Sequence, residues 1–530
     1  MTAPLHNHKD LRTLLLCALY AFVLLFFLSP DSYLRDSFCH YDSSCFFMCG
    51  KAWMSGMIPY VDFADSKGPL LWLIYGLGYL ISHHSYIGVF WISLLFYTAT
   101  LYIAYKLCRL FLDDGPSALC VALLPLALFY YEFHVELRAE DFCYSSVLFC
   151  LYSLCRIIRE EAMPRKTYLQ LCIGMGLAFM FCLLTKWNIA AMIGGPMLCV
   201  FILSFKRKAV GICLGGMIGG AVVLALPFVI YFLAFADFGT MVDEYFVNTY
   251  LTMDGRTNAF EMLTFGRLML VREKLTIVLF IGLLLFCRKR WGYAWLIFCF
   301  FIFRIGMGLA FYSWHYYANL MPFFLFFLIA VVGYLYKKWP QWLNRLTPAL
   351  CILAVIGVIA CDIRSINEQY RNAETQREAF YAANYVMAQV EKPKVIWYYS
   401  EVGTGVPAGA LPGCRYWTKQ VGATEEMFAE REKALQAKQA DFIIVQSYVL
   451  NSEIGDDVCH EIESLGYELY PYVPYTSRST TRLYGPPGLQ LPPRGLPRLP
   501  VGCLAEKKYL RNLSLPQIPH IRHTSAPPHA

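Results

Sequence analysis

DSSCFFMCGKAWMSGMIPYVDFADSKGPLLW, residues 42–72, is the stretch on which the reading of this chain turns. Three carboxylates, Asp42, Asp62 and Asp65, and the base Lys67 stand among aromatic and small residues. A short helix running from the acidic start stops at Gly56, and Lys67-Gly68-Pro69 opens a second one, because proline at a first helical position loses no hydrogen bond. The following segment, Gly68 to Ser82, is apolar enough to cross a bilayer. Counting it as a span, however, inverts every later loop and carries the basic clusters to the wrong side. It is therefore read as a juxtamembrane helix lying in the interface, which makes residues 30–86 one long external loop.

Outward from this loop the chain is a membrane protein. Of its 530 residues 58% are hydrophobic and only 16% charged, far from the balance of a soluble domain. Apolar runs long enough to span lie near 11–29, 87–112, 116–132, 142–157, 167–184, 188–205, 209–235, 274–287, 292–310, 318–336 and 347–363. With His6, His8, Lys9 and Arg12 on the cytoplasmic side, the clusters Lys106/Arg109, Arg156 to Lys166, Lys206 to Lys208, Arg288 to Arg290 and Lys337/Lys338 all fall on that side too. The net charge of +7 thus reads as topology, and no single basic patch marks a nucleic-acid partner. Most of the 20 cysteines sit in apolar runs as small hydrophobes. Cys39, Cys45, Cys49, Cys414 and Cys459 fall in external regions where disulfides are open, with no pairing legible.

The composition changes after about residue 364. Residues 366–392 read as an amphipathic polar helix. Lys394-Val-Ile-Trp-Tyr-Tyr and Asp441-Phe-Ile-Ile-Val read as buried strands flanking a helix over Glu425 to Ala440. The expected organisation is a transmembrane region over 1–363, a small external α/β domain over 364–484, and a disordered tail rich in proline over 485–530.

Four groups of residues invite chemistry. Besides the first loop, Glu132, His134, Glu136, Arg138, Glu140 and Asp141 bridge two apolar runs on the external side, a density of ionisable groups that is costly at a membrane boundary unless it faces a wet cavity. Their bland reading is a mutual salt-bridge cluster. Thr185-Lys186-Trp187-Asn188 is a charged break between two spans, or else an interfacial turn with a snorkelling lysine. Arg304 lies inside an apolar run, and Trp314-His315-Tyr316-Tyr317 precedes Pro322, a pattern that also suits interfacial aromatic anchors. Asp243, Glu244, Asn248 and Tyr250 fall in the external loop before them. No glycine fingerprint for nucleotides, Walker loop, zinc-ligand spacing or nucleophile elbow occurs.

The first loop resembles that of GT-C glycosyltransferases, the group that includes protein O-mannosyltransferases and lipid A aminoarabinose transferases. The likeness rests on the acidic Asp42 after the first span, the helix stop Gly56, the Pro59-Tyr60 turn and Lys67-Gly68-Pro69-Leu70. It implies an all-α polytopic GT-C-like fold of about eleven spans, inverting sugar transfer from a polyprenyl-phosphate donor to a hydroxyl of a glycan, lipid or protein, and a place in a bacterial inner membrane. By the same resemblance Asp42 is the catalytic carboxylate, with Asp62 and Asp65 holding the loop or competing for that role. Lys67, Lys186 and Arg304 meet the donor phosphate. Glu140 and Asp141 position the acceptor or hold a divalent ion, Mg or Mn, and Arg138, Asn188, His315 and Tyr316 line the substrate. The rival readings are a transporter or flippase, which would place charges mid-span and break its helices, and a non-catalytic assembly protein or polymerase.

Overall fold

The computed structural model describes residues 4–29, 32, 41–83, 85–126, 138–251, 271–308, 319–372, 383–398, 405–406, 408–418, 424–446, 455–470 and 481–489. The helices are α1 (Pro4–Leu28), α2 (Tyr41–Met54), α3 (Pro69–Ile81), α4 (Ile87–Cys108), α5 (Asp114–Leu123), α6 (Ala139–Arg159), α7 (Arg165–Thr185), α8 (Trp187–Lys206) and α9 (Val210–Phe235). There follow α10 (Phe238–Val242), continued by the π-helical turns Asp243–Asn248, then α11 (Val271–Cys287), α12 (Trp295–Gly308), α13 (Met321–Lys338) and α14 (Pro340–Asn372).

Among the described residues 8 helices are long and apolar enough to cross a membrane: α1, α4, α6 to α9, α13 and the first part of α14. All eight coincide with expected spans. Two further expected spans form the shorter apolar helices α11 and α12. The one expected over 116–132 begins as α5, and its later part lies outside the described residues.

Polar contacts sort the two ends of this bundle. At one end Lys9 pairs with Asp114 at 2.9 Å, Lys106 with Asp10 at 3.0 Å and Arg109 with Asp114 at 2.8 Å. Arg207 donates there to the carbonyls of Glu160 and Glu161 at 2.8 and 3.1 Å. The basic clusters of four different loops therefore share one end.

Helix α3 belongs to the other end and lies across it. It starts beside the C-terminus of α7, where Gly68 donates its N–H to the carbonyl of Thr185 at 3.1 Å. Its C-terminus leads within a few residues into α4, which runs back toward Asp114. Both ends of a helix about 20 Å long thus sit at the same bundle end, so it does not cross. Packing of α3 on α2 depends on glycine: a Cβ on Gly50 would lie 2.4 Å from the backbone nitrogen of Gly76.

The C-terminal part holds a five-stranded sheet of order β2-β1-β3-β5-β4. Its strands are β1 (Lys394–Tyr398), β2 (Leu411–Pro412), β3 (Phe442–Gln446), β4 (Glu468–Tyr470) and β5 (Thr481–Gly485), with helices α15 (Glu425–Gln436) and α16 (Gly455–Ser464). Strands β1, β2 and β3 are parallel, whereas β5 runs antiparallel to β3 and β4. The continuous apolar run Phe442 to Val445 is buried throughout, as a central strand covered on both faces requires. The two strands and the helix read from sequence are present; β2, β4 and β5 are additional. Residue 363 lies inside the unbroken helix α14, which carries the chain past the expected boundary.

Candidate active site

The site forms where the first loop meets the break between α7 and α8. Asp42 stands in the first turn of α2. At roughly 100° per residue, Asp42, Cys45, Phe46 and Cys49 share one face of that helix. This face looks onto the far end of the first loop: Lys67 Nζ lies 5.7 Å over the Phe46 ring, and both Asp65 and Lys67 act electrostatically on Cys45 and Cys49. Asp65 and Lys67 therefore lie on the side of α2 that carries Cys45, Phe46 and Cys49, the face Asp42 shares by helical register.

The loop is held rigidly. Gly56 ends α2 with φ +93°, and Tyr60, a non-glycine residue at φ +64°, makes the next reversal. The ring of Tyr60 is fully buried against Trp72 at 4.6 Å, and its hydroxyl donates to the carbonyl of Lys67 at 2.8 Å. Burial drives that phenol well above its usual range, so it stays a proton donor. Asp62 accepts from the N–H of Ile58 at 2.7 Å, a turn-stabilising bond. Of the two roles open to Asp62, holding the loop is the one its geometry serves. Asp65 keeps one carboxylate oxygen buried with no hydrogen-bond partner among the described residues.

From this loop the path to the other candidates is short. Gly68 abuts α7 so closely that a Cβ would lie 2.0 Å from the carbonyl oxygen of Leu184. The hydroxyl of Tyr245 donates to the carbonyl of Leu183 at 2.7 Å, closing the same corner from the π-helical turns. Lys186, the single residue linking α7 and α8, extends its ammonium to the carboxylate of Glu140. These two side chains are 8% and 6% exposed, so each neutralises the other in a largely water-free place. Lys67 and Lys186 thus flank one hydrogen bond, that between Gly68 and Thr185.

Asp141 is buried and accepts from the N–H of Arg138 at 2.8 Å, capping the start of α6. The two carboxylates read as acceptor or metal residues are therefore already engaged, one by a lysine and one by a helix end. Among the described residues no group of three or more metal-ligating side chains converges. Asn188 is buried in the first turn of α8, where its backbone meets Gly306 of α12, and Arg304 is fully buried on that same helix. Glu132, His134, Glu136, His315 and Tyr316 lie outside the described residues, as does Cys39. Cys45, Cys49, Cys414 and Cys459 are buried free thiols.

The C-terminal region closes over the loop. Ala64 donates its N–H to the carbonyl of Arg415 at 2.9 Å. Glu244 accepts from Arg415 at 2.6 Å and from the Tyr416 hydroxyl at 2.7 Å. Glu244, from the external loop before Arg304, is thus a buried group that docks the C-terminal region. Sequence reasoning had no signal for Arg415 and Tyr416, which neither motif nor periodicity marks. It also passed over Lys51, which is 3% exposed in α2, has no hydrogen-bond partner among the described residues and lies 6.0 Å from the Tyr79 ring centre. Burial pulls its amine down to about 7.

This architecture has solved counterparts. ArnT from Cupriavidus metallidurans, bound to undecaprenyl phosphate, matches with a TM-score of 0.57 at 10% identity, over 90% of this chain and 98% of that one. The same protein in its apo state gives 0.56 at 11% identity, with the same shares covered. The fold is therefore that of ArnT. A looser match, with a TM-score of 0.46 at 10% identity over 94% of this chain and 76% of that one, is the archaeal oligosaccharyltransferase AglB from Archaeoglobus fulgidus in complex with an inhibitory peptide and a dolichol-phosphate. No family model and no curated protein matches the sequence. The likeness to ArnT is thus one of fold, over 90% of this chain.

Proposed function

We propose that this protein transfers a sugar from a polyprenyl-phosphate donor to a hydroxyl of a glycan, lipid or protein acceptor, at the membrane face away from the cytoplasm. What supports the reading is that Lys67 and Lys186, the latter paired with Glu140, flank the Gly68–Thr185 bond, and that Lys67 lies over Phe46 on the helix face Asp42 shares by register. The undecaprenyl phosphate bound by ArnT, a protein of the same fold, supports a lipid-linked donor. Sorting of the basic clusters to the opposite end supports the orientation.

In this reading the acceptor oxygen attacks the anomeric carbon in one displacement with inversion. The new glycosidic bond forms as the bond from that carbon to the phosphate oxygen breaks. Asp42 takes the acceptor's proton. Polyprenyl phosphate leaves carrying the added negative charge, which Lys67 stabilises in place. Lys186 is tied to Glu140, so its contribution is to fix the corner beside Lys67 and to lend charge there only as that pair loosens. Arg304, Arg138 and Asn188 belong to the surrounding walls, and Asp65 is the carboxylate nearest to sharing Asp42's task.

The test is to incubate the purified protein in lipid with a panel of polyprenyl-phosphate sugars and measure release of polyprenyl phosphate. Wild type should release it with at least one sugar, while Asp42→Asn and Lys67→Ala lose about two to four powers of ten in rate. Undiminished release by Asp42→Asn would sink the assignment, and donor movement across the bilayer without release would favour a flippase.

A further inference from the structure

At the basic end of the bundle, opposite the candidate active site, a cleft of about 440 Å³ opens between α4, α6, α13 and α14. Its polar lining consists of Arg109, Asp113, Arg159, Tyr336, Lys337 and Asn344. Three cations therefore face one carboxylate, and the side chain of Asp113 points fully into solvent, 4.0 Å from Arg109. The Tyr336 hydroxyl is spent on Thr347.

Both guanidinium groups are anchored: Arg109 donates to the carbonyl of Leu112 at 2.6 Å and pairs through Nε with Asp114 at 2.8 Å, and Arg159 donates to the carbonyl of Leu110. Each keeps further N–H groups for a ligand, since an arginine carries five donors. Lys337 has no hydrogen bond or ion pair among the described residues. The first turn of the long helix α14 opens on the cleft through Pro340 and Asn344 and adds the positive end of its dipole.

The depth of the cleft points to the source of its ligand. Tyr334, Trp339 and Trp342, beside it in sequence, are 64%, 47% and 71% exposed. Exposed tryptophan and tyrosine at the ends of spanning helices sit at headgroup level. Basic pockets between spanning helices at that level suit phosphate-bearing headgroups. We propose that this cleft binds the phosphate of an anionic phospholipid of the surrounding leaflet, through Arg109, Arg159 and Lys337, at a site separate from that of the donor.

Native mass spectrometry of the full chain released from neutral detergent tests this. Dioleoylphosphatidylglycerol, dioleoylphosphatidylcholine and inorganic phosphate are titrated separately. The expected result is one retained phosphatidylglycerol, bound about tenfold or more tighter than phosphatidylcholine. That preference should disappear in Arg159→Ala/Lys337→Ala and persist in Arg159→Lys/Lys337→Arg, with melting temperatures confirming that both variants fold. Equal binding of the two lipids, or a preference that survives the alanine pair, overturns the proposal. Retention of inorganic phosphate without lipid preference overturns the lipid source and reassigns the cleft to the free anion.

Discussion

Lys186 and Glu140, from the link between α7 and α8 and from the start of α6, form an ion pair with both side chains almost out of water. Removing one partner of such a pair strands the other, whereas removing both together does not. Lys186→Met should therefore destabilise the protein by about 3 kcal/mol or more, and Lys186→Met/Glu140→Leu by clearly less. Melting temperatures in a fixed detergent check it, and equal losses in the two variants would refute the compensation.

Gly68 offers a sharper test of the corner. A methyl group there would run into the carbonyl of Leu184, against backbone that cannot swing away. Gly68→Ala should part the first loop from α7, lowering stability by about 2 kcal/mol or more and slowing donor turnover severely. Gly56→Ala meets no atom and only strains a positive φ, so it should cost about 1 kcal/mol. Comparable losses in both would mean that the close contact is unimportant.

Lys51 predicts a pH dependence with a defined sign. Its amine titrates at about 7 in the folded protein, against an ordinary 10.5. Between those values the unfolded chain holds a proton that the folded one has released, so stability rises with pH. Below about pH 7 both states are charged and the whole burial penalty is present. The slope contributed by this one group is on the order of 1 kcal/mol per pH unit. Melting temperatures of wild type and Lys51→Met from neutral to alkaline pH should converge as pH rises, with the variant more stable at pH 7. Parallel curves would remove Lys51 as the cause.

The contact of Glu244 with Arg415 and Tyr416 predicts that the sheet can be undocked from the membrane part. Arg415→Ala leaves the buried carboxylate one partner short, a cost of about 1–3 kcal/mol. Limited proteolysis should then cut the C-terminal region faster while the helices survive. Unchanged cleavage would show that the Ala64–Arg415 backbone bond suffices.

Hydropathy and charge sign, which are properties of short windows, made the spans and their common basic end legible. The choice to lay Gly68–Ser82 in the interface came from the same logic and agrees with the course of α3. The acidic loop and the charged break at Lys186 also stand out in the sequence, and the fold brings Lys67 and Lys186 to the two sides of the Gly68–Thr185 bond. The pairing of Lys186 with Glu140 was not legible: nothing local in either residue says that each neutralises the other. For Asp62 both holding the loop and a chemical role stay open in the sequence, because a carboxylate accepting from its own backbone, as Asp62 does from Ile58, reads the same there as one serving a substrate. Strands β4 and β5 are not legible because three to five residues carry too little periodicity.

The hydrogen bond from Ala64 to Arg415 also orders events in time. During synthesis the first loop emerges early, while Arg415, which latches it, follows only after the spanning helices. Until then the first loop lacks its C-terminal partner. The ribosome therefore sets a natural delay between insertion of the helices and fastening of the first loop.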